Sequence, residues 1–139
     1  MIKFSTIGQI EHGNYPFEDA VASADTFNGA YGDTASGKFT VTAKKYKAIM
    51  QIERGDDEYM PTYKIAKGEH VRVIDLAKVT GNFEIYGDEL PADVAKGDKL
   101  ESNAEGKLVK NNSSATAPYI EVTAIIGNKL GVEAKLVTA

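Results

Sequence analysis

From Gly37 onward the sequence is a succession of short alternating apolar and polar runs, each stopped within a few positions by a glycine-bearing turn. Alternation at period two puts successive side chains on opposite faces of a strand, and frequent interruption leaves no room for a long helix. Lys38-Phe39-Thr40-Val41-Thr42-Ala43 places Phe39, Val41 and Ala43 on one face. Residues 46–53 alternate likewise, with Tyr46, Ala48, Met50 and Ile52 inward. Residues 59–66 are broken by Pro61, which confines any strand there to an edge. Residues 70–76 carry bulk on both faces, with Val71 and Val73 opposed to Arg72, Ile74 and Leu76, as a central strand requires. Gly81-Asn82 turns into a short strand at Phe83-Glu84-Ile85-Tyr86. Two hairpin arms, 97–101 and 106–110, flank Ser102-Asn103-Ala104-Glu105. The β-branched run 119–126 turns at Gly127-Asn128-Lys129-Leu130-Gly131 and returns with Val132, Ala134 and Leu136 inside. Seven or eight short strands without a helix predict an all-β body, a compact antiparallel β-barrel or β-sandwich, over residues 38–139.

Residues 1–37 differ. Their apolar positions are scattered among five glycines, with a short helical turn expected near 19–25. The stretch is too small to build its own core and too apolar for a disordered tail, so it is expected to be an N-terminal arm that packs on its own domain or on a partner.

Composition removes several function classes. Cysteine is absent, which excludes disulfides, thiol catalysis and thiolate metal sites. Sixteen basic residues against twenty acidic ones give a net charge of -4, so no general attraction for nucleic acid or anionic lipid is expected. No apolar run approaches the roughly 18 residues of a membrane span. No secretory signal is visible in the first residues, and the chain reads as one made and folded in a cytoplasm.

The motifs that could carry chemistry are weak. His12 and His70 have no second ligand at a useful spacing, so no metal is expected. Asp56-Asp57-Glu58 lacks the alternating ligands of a calcium loop and reads as a solvated turn. Ser36-Gly37-Lys38 precedes a strand, where a phosphate loop must precede a helix, and reads as a turn. Neither the loop carboxylates Asp88 and Glu89 nor the many hydroxyls form a catalytic constellation, so no catalytic residue and no cofactor is expected. Arg54-Gly55-Asp56 matches an adhesion tripeptide in a composition that turns favour anyway, and Asn111-Asn112-Ser113-Ser114 holds two glycosylation acceptors in a loop. Tyr15, Tyr31, Tyr59, Tyr63 and Tyr86 lie near expected turns, where they could pack at the rim or form a sugar-stacking face.

Residues 65–76, with Gly81-Asn82-Phe83-Glu84-Ile85-Tyr86, Gly97-Asp98-Lys99-Leu100 and Gly106-Lys107-Leu108, resemble the capsid decoration (head-stabilising) proteins of tailed bacteriophages. The resemblance spans about residues 38–139. It implies a non-enzymatic virion protein on the outer capsid surface, synthesised in the host cytoplasm. Its partner would be the phage major capsid protein, and a homotrimer is plausible by analogy. Such a protein ties neighbouring subunits of an expanded shell together, and the arm suits that role. Strand addition to a capsid edge would then be made by the arm, with Ile2, Phe4, Ile7, Tyr15 and Phe17 as contact residues. The rival expectation is that the arm folds back and completes the body. Other classes in play are a tail or head–tail connector component and a surface carbohydrate-binding β-sandwich.

Overall fold

The computed structural model describes residues 2–4, 16–50, 64–79, 81–87, 89–126 and 131–138. Among them are thirteen strands and one 3-10 turn, Leu76–Lys78, and the fold is all-β as the alternation predicts. A six-stranded antiparallel sheet runs in the order β1 (Ile2–Phe4), β9 (Phe83–Tyr86), β13 (Gly131–Val137), β12 (Tyr119–Ile126), β10 (Lys99–Ser102), β11 (Leu108–Lys110). A closed five-stranded barrel runs β2 (Phe17–Ala22), β5 (Lys38–Val41), β4 (Tyr31–Ala35), β6 (Lys47–Ile49), β8 (His70–Asp75), with β2 and β5 its parallel pair. A two-stranded ribbon, β3 (Thr26–Phe27) with β7 (Lys64–Ile65), lies beside it.

The strand at 70–76 is central, as its two-sided bulk predicts: β8 pairs with β2 on one side and β6 on the other. Val71 and Val73 enter the barrel core with Phe39, Ile49 and Ile65. Ile74 and Leu76 enter the larger core under the sheet, with Tyr31, Phe83, Ile85, Leu100 and Ile120. One strand therefore serves both cores. Asp75 stops it by capping the 3-10 turn, its Oδ1 accepting from the Ala77 N–H at 3.0 Å.

Barrel and sheet are also tied through the β10–β11 hairpin. The Tyr31 N–H donates to the Gly106 carbonyl at 3.0 Å, and the Lys44 N–H to the Ser102 carbonyl at 2.9 Å. The Ser102 hydroxyl accepts from the Lys45 N–H (3.0 Å) and donates to the Lys45 carbonyl (2.9 Å). Both hairpins expected in the second half of the chain are present, with Asn103 Oδ1 taking the Glu105 and Lys107 N–H groups at the tip of the first.

The expected boundary between arm and body, at residues 37 and 38, falls inside a β-hairpin. Ala35 pairs with Lys38 across a two-residue turn, Ser36 and Gly37, both at positive φ. That is the turn whose twist matches paired strands. Residues 17–35 belong to the body rather than to an arm: β2 and β4 are barrel strands, β3 pairs with β7 beside the barrel, and the helical turn expected near 19–25 is β2 and the bend after it. The reason is packing. Ala20, Ala22 and Ala30 are buried in the narrow barrel's core, with Phe39, Ile49, Ile65, Val71 and Val73 of other strands.

Candidate interaction edge

A sheet exposes unpaired main-chain groups only at its edges, so the two edge strands of the six-stranded sheet are its natural contact sites. The edges are treated differently. At β11 the Leu108 N–H points away from β10 and donates to the Glu89 carbonyl at 2.7 Å. The ammonium of Lys110 meets Asp93 and Asp98, each at 3.2 Å. The same segment is fastened from behind, because Asp98 accepts from the Ala95 N–H (2.8 Å) and from Asn112 Nδ2 (3.0 Å). Burial pushes the Asp98 carboxyl up, but Asn112, the Ala95 amide and Lys110 together outweigh it and hold the group below its ordinary value. Residues 89–98 thus cover part of this edge. Glu89 is wholly buried there, while Val109 of β11 remains exposed.

The opposite edge is β1. It adds antiparallel to β9 with Ile2 opposite Ile85, Lys3 opposite Glu84 and Phe4 opposite Phe83. Ile2 is 2% exposed and belongs to the core cluster of Phe83, Ile85, Val132 and Ala134. Among the described residues no strand pairs with the far side of β1. Next to it the sheet carries a run of hydrogen-bonded carboxylates. Glu84 lies directly across from Glu133, the Tyr86 hydroxyl donates to Glu84 at 2.7 Å, and Asn82 Nδ2 donates to Glu133 at 2.6 Å. Burial, and next the bond to Glu84, push the Tyr86 phenol up to about 12.

The residues expected to contact a shell separate into groups. Ile2 is part of the chain's own core, and Phe4 is paired opposite Phe83, so the first three strand residues fold back onto the body. Phe17 opens barrel strand β2 opposite Ile74, with the Arg72 guanidinium 4.2 Å over its ring. Ile7 and Tyr15 lie outside the described residues, as do His12, Asp88, Tyr59, Tyr63 and the whole of 51–63 with its Arg-Gly-Asp and acidic triplet. His70 is an exposed residue at the start of β8, opposite Val21. Asn111 and Asn112 are structural: Asn111 Nδ2 donates to Glu101, and Asn112 Oδ1 accepts from the Lys99 N–H at 2.7 Å. Tyr31 and Tyr46 are buried, and Tyr86 lies half-buried on the sheet.

A cleft of about 370 Å³ opens between barrel and sheet, lined in part by Asp33, Lys45, Lys47, Asp75 and Leu136. The Lys47 ammonium there donates to Thr34 Oγ1 at 2.7 Å and pairs with Glu18 at 3.1 Å. The Thr34 hydroxyl first, and Lys47 after it, hold the Glu18 carboxyl below its ordinary value. Among the described residues no three His, Asp or Glu side chains converge as a metal site would need. No helix among them is long and apolar enough to cross a membrane. No protein-family model, curated protein or solved structure matches the chain.

Proposed function

We propose that this protein is a non-enzymatic structural component of a virion, binding the outer surface of an expanded tailed-phage capsid and bridging neighbouring major capsid subunits. The observation that supports this reading is the asymmetry of the sheet: one edge is partly covered by residues 89–98, and the other ends in β1, a strand itself held by strand addition. An extended capsid segment would pair with β1 as β1 pairs with β9, using main-chain hydrogen bonds for affinity. With Ile2 inside the core, contact at this edge runs through the main chain of β1 and not through the Ile2 side chain.

The mechanism is thermodynamic. A protein that binds only the expanded arrangement of subunits stabilises that arrangement by mass action. Touching two or more subunits at once makes individually weak contacts effectively tight. A body of two β units joined by β8 and by the Ser102 and Gly106 hydrogen bonds supplies the stiffness a bridge needs.

Co-sedimentation with purified phage heads tests the proposal. Expanded heads should retain the protein at saturable stoichiometry and unexpanded heads should release it. Loss from both, or equal retention by both, would refute it.

A further inference from the structure

We infer that β1 is an exchangeable strand: at high local concentration the Ile2–Phe4 strand of one copy occupies the β9 edge of a second copy and links the two. Four observations support this. First, β1 pairs with β9 and with no other strand among the described residues. Second, the seat is demanding. Without β1, the ladder of β9 is open and the place of Ile2 beside Ile85 and Val132 is uncovered, so each copy needs a strand there. Third, residues 5–16 separate β1 from β2, and a chain of that length reaches at most about 40 Å. A folded chain of this size has a radius of gyration of roughly 14 Å, so the strand can reach an adjoining copy. Fourth, at the opposite edge the Leu108 N–H is already bonded to the Glu89 carbonyl and the Lys110 ammonium is paired with Asp93 and Asp98, so the β9 edge is the more available of the two.

The residue contacts are the same whether the strand comes from its own chain or from a neighbour. Exchange is therefore governed by effective concentration, and not by new interactions. A tethered strand experiences an effective concentration on the order of millimolar, so dilute protein keeps its own strand and crowded copies trade. A shell lattice would supply such crowding, a point that rests on the function proposed above; the exchange itself does not.

The absence of cysteine makes the inference directly testable, because any thiol introduced is the only one. Lys3 faces Glu84 in the register, so Lys3→Cys and Glu84→Cys place two thiols opposite each other. The double variant should form a disulfide within one chain when oxidised in dilute solution, which checks the register. The two single variants should then be mixed, unfolded and refolded together at micromolar and at about millimolar concentration, and oxidised with diamide. Exchange predicts a Lys3–Glu84-linked heterodimer that increases steeply with concentration, identified by mass spectrometry of the joined peptides. An intrachain bond in the double variant without any heterodimer at the higher concentration overturns the inference, and so does failure of the double variant to close. Neither result bears on head binding, which is measured separately with the unmodified chain.

Discussion

At the scale of single residues, close approach of main chains fixes what is tolerated. Gly32 sits mid-strand in β4, paired with both Val41 and Lys47. A Cβ there would collide with the Thr40 carbonyl and come within 2.9 Å of Val41 Cα, all of it backbone that cannot step aside. Gly131 differs: its hypothetical Cβ meets the Tyr86 ring, which can swing, and the Ile85 carbonyl at 2.8 Å, which cannot. Gly32→Ala is expected to destabilise at the upper end of, or beyond, the roughly 1–3 kcal/mol typical of overpacking, and Gly131→Ala by less. Chemical denaturation of the two variants checks the order. Among the described residues the buried Tyr31 hydroxyl has no hydrogen-bond partner, and burial, then Glu89, then Tyr46, raise its pKa far above the ordinary value. Leaving such a group unsatisfied costs about 1–3 kcal/mol, so Tyr31→Phe is expected to match or exceed the wild type in stability. A clear drop in melting temperature would contradict that.

Asp98 gives the pH dependence. Its carboxyl is held below the ordinary 3.8, so its contribution is complete above that value and drains away as pH falls through the lower folded-state pKa. Thermal scans should show Asp98→Asn less stable than wild type at neutral pH. The wild-type curve should fall faster below about pH 4, and the two should converge in stronger acid.

At the scale of elements, β8 is where the two cores are most exposed to damage. Ile74→Ala on its sheet-core side is expected to cost about 2–5 kcal/mol, and because β8 also forms a barrel wall, both units should unfold in one transition. Ile2→Ala should loosen β1 by less than that, since β1 is a three-residue strand paired with β9 alone among the described residues, and removing residues 1–4 should leave β9 open and promote self-association visible by light scattering.

The strand pattern was legible wherever alternation was strong. β5, β8, β9, the β10–β11 hairpin and the β12–β13 hairpin all lie where the apolar periodicity placed them. A barrel was within reach of the pattern, but the strands that open it were not legible, because they spell Phe-Glu-Asp-Ala-Val-Ala and Tyr-Gly-Asp-Thr-Ala, with alanine and glycine where larger residues announce a strand. Small residues satisfy a narrow barrel only in three dimensions, against Phe39, which lies on another strand. The alternation of Ile2 and Phe4 fits a strand, but sequence does not distinguish one that docks on its own body from one that docks on a neighbour; in the structure β1 lies on β9 with Ile2 buried. The cover at Glu89 depends on a main-chain carbonyl meeting Leu108, a contact that side-chain pattern does not encode.

At the scale of the whole molecule, the fold combines a sheet with one partly covered and one available edge and a barrel tied to it through β8 and the β10–β11 hairpin. Such a body is suited to holding positions fixed, and the proposed bridging of shell subunits asks for that. The proposed bridging would have a direct mechanical consequence, because internal DNA pressure would have to break the bridges before the shell could open. The decisive measurement is the temperature at which expanded, DNA-filled heads release their DNA to an external dye, with and without saturating protein. Bridging requires the release temperature to rise with occupancy and level off at saturation. A release temperature that stays unchanged on fully occupied heads contradicts it.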